Sequence, residues 1–574
     1  MSPLVRSLLE KRGVTSEADV QDFLEPDYDL HTHSPFLLAG MQTAVERVFA
    51  AFDRGERIAV YADFDCDGIP GAAVLSDFFE KLGYGNVEVY LPHRDREGYG
   101  FHTEAIETLA VREVKLIITV DVGTTAIDAV AFAKQKGIDV IVTDHHEIPG
   151  ALPDAVAVLN PKFVPPASSG VERYPFSHLC GAAVAFKLVQ ALLEVGRKRE
   201  LPAFSAVPSG WEKWLLDLVA IATVADMVPL LGENRVLAHW GLKVLRKSQR
   251  PGIAALCEKL RLRRSELTED DIGFSFAPRI NAASRMDEPD AAFKLLTTHD
   301  ASEARDIAAH LEKLNTRRKA TVGSIVREAK KHVRERFGEG DGVVVLGNPE
   351  WKPSLLGLAA NSIVEERGGV ACLWGRDALG RLKGSCRSDG EVSVVELFAN
   401  AEGAVEEYGG HAASGGFSVS QEQVHVLGAV LAAASARMQR TDAPSEVERQ
   451  RPQHDALASL SEMSWPLLTD VSKLAPFGIG NPKPVFLISE TVVSSVRRFG
   501  KESNHVEVEL VCARTGHRAR AFDFFKSPED FSAAPQPGFG ARVLATLERD
   551  TFPAYRQAGA APRIALRLVD VLPV

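Results

Sequence analysis

Residues 57–68 read RIAVYADFDCDG, an apolar run that gives way to Asp63, Asp65 and Asp67 at alternate positions and then to Gly68. The first half has the length and β-branched character of a buried strand. Working outward, the runs VEVYLP, LIITVD, DVIVTD and AVAVLN follow at intervals as far as Asn160, with helical segments between them. That rhythm predicts a parallel sheet with crossover helices. Three of the runs end in aspartate (Asp63, Asp121 and Asp144), which places carboxylates at the carboxyl edge of the sheet, where open α/β folds bind ligands.

Carboxylates packed this closely repel one another, and a divalent cation is the physical remedy. A solvated acidic turn or a helix cap is the plainer reading of Asp63, Asp65 and Asp67 alone. A calcium loop fits poorly, because the spaced acidic ligands that end in a glutamate are missing. Asp144, His145 and His146 close a further strand, and imidazole beside carboxylate suits manganese or magnesium with retained water. Asp226, in ATVADMVPL, is the remaining acidic candidate.

The 574 residues exceed one domain of about 100–200 residues several times over. With 45% hydrophobic and 25% charged residues the composition is that of a globular protein. No signal pattern opens the sequence and no long apolar run interrupts it, so the expected location is the cytoplasm. The six cysteines lie far apart, which predicts free thiols rather than a zinc site or a disulfide scaffold. A net charge of −11 argues against nucleic acid, yet Glu303 to Arg336 is locally basic, either a binding face or a solvated helix. Apolar residues at near-helical spacing across that stretch predict a long connecting helix.

The domain reading is an N-terminal segment over 1–45, a catalytic α/β domain over 46–250, connecting helices over 251–338, a second α/β domain over 339–440, a linker over 441–465 and a β-barrel over 466–574. The barrel rests on five alternating runs, TVVSSVRRF, HVEVELVC, HRARAFDFF, ARVLATLE and RIALRLVDV. There Arg497, Arg498, Lys501, Arg518 and Arg520 alternate with Phe499, Phe522, Phe524 and Phe525, charge and stacking faces suited to unpaired bases.

In order, VYADFDCDGIPGAAVL, PHRDREGYG, ITVDVGTTA, VTDHHE, ATVADMVPLLGENR, APRINAASRM, KGSCRS, GGHAASGGF and PFGIGNPKP resemble the motifs of the DHH phosphoesterase superfamily, and within it the RecJ-type single-strand-specific exonucleases. The resemblance covers nearly the whole chain. It implies a DHH domain, a DHHA1-type second domain and an oligonucleotide-binding barrel. It implies that Asp65, Asp67, Asp121, His145 and Asp226 bind two Mn²⁺ or Mg²⁺ ions, Asp121 bridging, with Asp63 and His146 in support. Arg94, Arg279, Asn281, Ser385, Arg387 and His411 match the family's phosphate-handling positions, and arginine forks suit phosphate oxygens independently of any family. Tyr61 stands where some relatives carry a histidine ligand, Ala62 where the family usually has glycine, and Ser284 likewise.

The resemblance implies a 5′→3′ exonuclease that releases 5′-mononucleotides from single-stranded DNA in repair and recombination, acting as a monomer, with a single-strand-binding protein and a helicase as partners. Two other readings stand beside it: a phosphodiesterase for short oligonucleotides or cyclic dinucleotides, and a non-catalytic DNA-binding scaffold. The acidic motifs argue against the scaffold and the terminal barrel against the short substrate.

Overall fold

The computed structural model describes all residues except 167–171, 339, 402, 439–452, 501–502 and 551–562. Residues 441–452 of the expected linker and Lys501 therefore lie outside the described residues. The chain forms two units, one made of His33–Val228 with Trp240–Ala443, the other of Met1–Thr32, Pro229–His239 and Pro444–Val574.

The first unit begins with a parallel sheet of β1 (Arg57–Ala62), β2 (Val87–Tyr90), β3 (Val114–Val120), β4 (Asp139–Thr143) and β5 (Ala157–Leu159), in the order β2-β1-β3-β4-β5. Helices cover both faces, which is why β1 and β3 read as continuous apolar runs rather than alternating ones. Gly71, on the helix Gly68–Lys81, lies so close to the sheet that a Cβ there would stand 2.5 Å from Val120 Cγ1 and 3.0 Å from Ala182 Cα. A second sheet holds β6 (Val343–Gly347), β7 (Val370–Arg376), β8 (Leu382–Ser388), β9 (Glu407–Gly410) and β10 (Ser414–Val419), ordered β6-β7-β8-β10-β9.

Between the sheets runs the 36-residue helix Ala301–Arg336. Asp300 caps it, accepting from the Ser302 and Glu303 amides at 2.6 and 2.9 Å. Ala304, Ala308, Leu311 and Leu314 form the buried stripe of its first half; Ile325, Ala329 and Val333 form that of the second and enter the core under the second sheet. The expected connecting helix is thus a structural bridge with a buried face at each end.

In the other unit, β11 (Ala456–Ala458), β12 (Phe486–Phe499), β13 (His505–Cys512), β14 (Arg518–Phe524), β15 (Gly540–Asp550) and β16 (Arg563–Pro573) are ordered β11-β12-β13-β14-β16-β15, and a β12–β15 pairing closes the barrel. Strict alternation of half-buried and buried residues along β13 marks the barrel wall. The N-terminal residues do not stand apart as a 1–45 segment: Val5, Leu8, Leu9 and Val20 pack with Leu474 beside the barrel. Residues 229–239 join the same unit, Arg235 donating to the carbonyls of Ala475 and Phe23, so the 46–250 stretch is divided between the two units. All six cysteines are free and buried, as expected. Among the described residues no helix is long and apolar enough to cross a membrane.

Candidate active site

The last rung of each parallel ladder fixes an aspartate. The amides of Asp63, Asp121 and Asp144 donate to the carbonyls of Val120, Thr143 and Leu159 at 3.1, 2.9 and 3.1 Å. Asp121 then takes a left-handed backbone, φ 60°, a conformation costly for a non-glycine residue and common where a site dictates direction. Asp67 is held from across the sheet edge. The amides of Gly181 and Ala182, which open the helix Gly181–Lys198, donate to its two oxygens at 2.6 and 2.7 Å. Gly181 has no alternative here, because a Cβ on it would lie 2.5 Å from Asp121 Cβ and 2.8 Å from Asp121 Cα. Nothing in the sequence reading singled out Gly181.

Asp226 arrives at the C-terminal end of the helix Leu216–Ala225, where the helix dipole disfavours a carboxylate and favours a cation beside it. His145 Nε2 lies 3.1 Å from Asp121 Oδ1 and 3.6 Å from both Asp67 Oδ2 and Asp226 Oδ2. Among the described residues, three groups of donor atoms fall within cation-binding distance: Asp67 with His145 and Asp226, Asp63 with Asp65 and Asp121, and Asp121 with His145 and His146. Asp121 belongs to two of these, with Asp63 and Asp65 on one side and the two histidines on the other.

The electrostatics fit a bound cation. Burial, then the neighbouring carboxylates, raise Asp63 and Asp121 well above the usual carboxylate range, Asp67 to about 7 and Asp226 to about 9. Burial, then the charge of His146, pushes His145 down to about 3, which keeps its imidazole neutral and ready to ligate. Asp63 Oδ1 and Asp121 Oδ1 are buried without a hydrogen-bond partner among the described residues, the mark of oxygens shaped for a ligand other than a protein donor.

Asp144 has a different task. Its carboxylate accepts from the amides of Thr124, His145 and His146 and meets His146 Nδ1 at 2.7 Å. Burial would lower the His146 pKa, but that contact raises it to about 9, leaving an oriented, protonated ring with its Nε2 3.3 Å from the Tyr99 hydroxyl. Tyr61 does not substitute for a ligand. Its hydroxyl donates to the Gly100 carbonyl at 2.8 Å and its ring stacks on Tyr90.

The expected phosphate residues divide. Arg94 packs on Phe64, 4.9 Å to the ring centre, and feels the charges of Asp63 and Asp65. Ser385 and Arg387 share one face of β8, and the Arg387 guanidinium fits against Gly357, where a Cβ would meet Nη2 at 2.5 Å. His411 is exposed in the turn from β9 to β10. Two others are otherwise engaged. Arg279 pairs with Glu312 at 2.8 Å and donates to the Ser275 carbonyl, and Asn281 accepts the Cys66 amide at 2.9 Å, tying down the acidic loop. Arg285 is not among the sequence candidates, and Arg318 enters only as one of the cations of the basic stretch Glu303 to Arg336. Burial, then the charges of Arg94, Arg318 and Arg387, drive the Arg285 guanidinium far below its ordinary value, and among the described residues Arg318 Nε is buried without a partner. Such a convergence of cations calls for an anion.

On the barrel the arginines of the basic strip are paired with acids of other strands and of the turn Pro528–Asp530. Arg497 pairs with Glu507, Arg498 with Glu529, Arg518 with Glu509, and Arg520 with Glu507 and Asp550. What remains open is aromatic: Phe525 is 79% exposed and Phe524 41%, with His505 and Phe499 at their edges. Paired with these acids, Arg497 and Arg518 still keep most of their side chains exposed.

A relative from Haemophilus influenzae, named a single-stranded-DNA-specific exonuclease RecJ, is 31% identical over 490 residues, 83% of this chain and 82% of its own length. The chain belongs to the RecJ family. The descriptions "DHH family, N-terminal domain" and "RecJ OB domain" match residues 57–223 and 454–558, so the RecJ assignment covers both the aspartate-lined sheet and the barrel. A Bacillus subtilis RecJ is 34% identical over 511 residues, 89% of this chain; the chain spans 62% of that relative's length. The crystal structure of Thermus thermophilus RecJ in complex with Mn²⁺ superposes with a TM-score of 0.77 at 26% identity, covering 100% of this chain and 76% of that one.

Proposed function

We propose that this chain is a two-cation exonuclease that removes 5′-mononucleotides from single-stranded DNA, in repair and recombination. The observation that carries the reading is the convergence of Asp63, Asp65, Asp67, Asp121, His145 and Asp226 into overlapping donor groups, with the Arg94 and Arg285 guanidiniums close enough to feel their charge. RecJ relatives named as single-stranded-DNA-specific exonucleases, one of them crystallised with Mn²⁺, support the substrate and the metal.

Two Mn²⁺ or Mg²⁺ ions, when bound, supply Lewis acidity to the attacked phosphodiester and to the attacking water. Asp67, His145 and Asp226 would hold one, and Asp63, Asp65 and Asp121 the other; Asp121 Oδ1 also lies 3.1 Å from His145 Nε2, which makes it the candidate to serve both. The chain does the rest. His146, oriented by Asp144, presents its outer nitrogen as a donor to a phosphate oxygen. Arg94 and Arg387, with Ser385, grip the terminal 5′-phosphate and so register the first internucleotide bond over the acidic cluster. Arg285 and Arg318 add positive charge along the same wall. On the barrel, Phe524 and Phe525 offer stacking faces to unpaired bases. The chain acts as a monomer in the cytoplasm, with a single-strand-binding protein and a helicase delivering the strand.

Digestion of DNA labelled at either end, single- or double-stranded, tests substrate, polarity and metal together. Release of labelled mononucleotide from the 5′ end of single strands, abolished by chelator and restored by Mn²⁺, is expected; equal digestion with chelator present would refute the reading. Arg387→Ala is expected to reduce the preference for 5′-phosphorylated over 5′-hydroxyl strands by roughly tenfold or more, the worth of one charge-assisted hydrogen bond. An unchanged ratio of kcat/KM values would remove Arg387 from the pocket.

A further inference from the structure

The two arginines of the 5′-phosphate pocket come from different sheets: Arg94 follows β2, and Arg387 lies on β8. Something must hold them opposite each other. The segment His93–Gly98 is a tight turn, with the amides of Arg96 and Glu97 donating to the His93 carbonyl at 3.1 and 2.8 Å and Glu97 accepting from the His93 amide at 2.6 Å. Its outer side is tied to the second sheet and its flanking helix. Lys352 Nζ meets Asp95 Oδ2 at 2.7 Å, the Asp95 side chain being 13% exposed, and Arg381 donates to the Arg96 carbonyl at 3.2 Å. A second tie runs to the helix Ala277–Arg285, just beyond whose end Asp287 lies 3.3 Å from His93 Nδ1 and 3.8 Å from Arg96 Nε.

Lys352 caps the helix Pro353–Arg367, and the first turns of that helix gather the rest of the pocket. The Ser354 carbonyl accepts from Arg285 at 2.8 Å, and Gly357 seats the Arg387 guanidinium. One short stretch of backbone therefore positions Arg285 and Arg387 directly, and Arg94 through the carboxylate next to it in sequence.

We propose that the Asp95–Lys352 ion pair is a clasp that sets the distance between Arg94 and Arg387, so that it fixes the enzyme's preference for a phosphorylated 5′ end without touching the DNA. The inference rests on the 5′-phosphate pocket described above. Asp95 and Lys352 are positioning residues. Opening the clasp frees the His93–Gly98 turn and leaves the acidic cluster intact, so the loss falls on recognition of the end and hence on KM. Among the described residues Asp95 Oδ1 is buried without a hydrogen-bond partner, so Lys352 is the cation in ion-pair contact with this carboxylate there.

The test is a double-mutant cycle of Asp95→Asn, Lys352→Met and the pair together, with Lys352→Arg as the charge-keeping control. Each variant is assayed on 5′-phosphorylated and 5′-hydroxyl single strands, with thermal melting as the check on folding. Each single substitution is expected to lower the ratio of kcat/KM for the two strands by roughly tenfold to a hundredfold, the cost of a group displaced by about an ångström. The fall should come through KM, the double variant should be no worse than the worse single one, and Lys352→Arg should keep most of the ratio. Losses that multiply in the double variant, or a ratio unchanged in both single variants, would overturn the clasp. A wild-type enzyme indifferent to the 5′-phosphate would instead refute the pocket, and the clasp with it.

Discussion

Asp121→Asn is expected to lower hydrolysis of single-stranded DNA by roughly three orders of magnitude or more, taking the contribution of a bridged cation as about 4 kcal/mol of barrier. Asparagine keeps the shape and tolerates the left-handed backbone that Asp121 adopts, so the fold has no reason to fail. What it removes is a negative charge common to two donor groups. Stability should move the other way. Burial and the surrounding carboxylates destabilise the ionised Asp121, so in chelator the variant should melt above the wild type, while added Mn²⁺ should raise the melting temperature of the wild type more.

The same electrostatics give the metal-free protein a pH dependence with a definite sign. Asp67 and Asp226, at about 7 and about 9, keep in the folded state protons that the unfolded chain releases near 3.8. Their contribution is complete below that value and is lost as pH rises through 7 for Asp67 and through 9 for Asp226. Melting curves in chelator should therefore fall across that window, and Mn²⁺ should flatten the fall. A stability that rises with pH over the same interval would contradict the assigned charge crowding.

Gly181→Ala is expected to be nearly as damaging, though it removes no ligand. The added methyl would sit 2.5 Å from Asp121 Cβ and 2.8 Å from its Cα, closer than real Cβ contacts come. Asp121 has little room to retreat, since its amide is bonded to the Thr143 carbonyl and its backbone is already strained. The strain would move either Asp121 or the helix start whose amides hold Asp67. Activity should fall by roughly a hundredfold, the price of an ångström of misplacement, and overpacking should cost about 1–3 kcal/mol of stability. Steady-state rates with a titration of Mn²⁺ would show the cation requirement shifted upward. Wild-type kcat at the wild-type Mn²⁺ requirement would mean that the close approach of Gly181 to Asp121 is not part of the working site.

How much of this was legible beforehand follows from what is local. Strands ending in aspartate announce their own geometry, because a parallel sheet puts every carboxyl end on one edge; Asp63, Asp121 and Asp144 could be placed together from their runs alone. Gly181 could not, since its meaning lies in a contact with Asp121, far away along the chain, and one glycine before an apolar helix has many uses. In APRINAASRM the two arginines look equivalent, yet they leave the helix Ala277–Arg285 in different directions: Arg279 to Glu312, and Arg285 to the Ser354 carbonyl among other cations. Only packing against the helix Ala301–Arg336 decides which guanidinium is spent on structure. The barrel arginines are a related case. Pairing of β12 with β13 sets Arg497 opposite Glu507, and a neutralised pair is invisible until the strand register is known. The N-terminal helix Pro3–Lys11 shows a clear apolar stripe, but its partner Leu474 lies near the other end of the sequence.

Counting bound manganese by equilibrium dialysis, on the wild type and on Asp121→Asn side by side, tests the central claim most directly. Two Mn²⁺ per wild-type chain, falling to one or none in the variant while its melting curve stays cooperative, is the predicted result. Fewer than two in the wild type, or an equal count in both proteins, would contradict a two-cation centre bridged by Asp121.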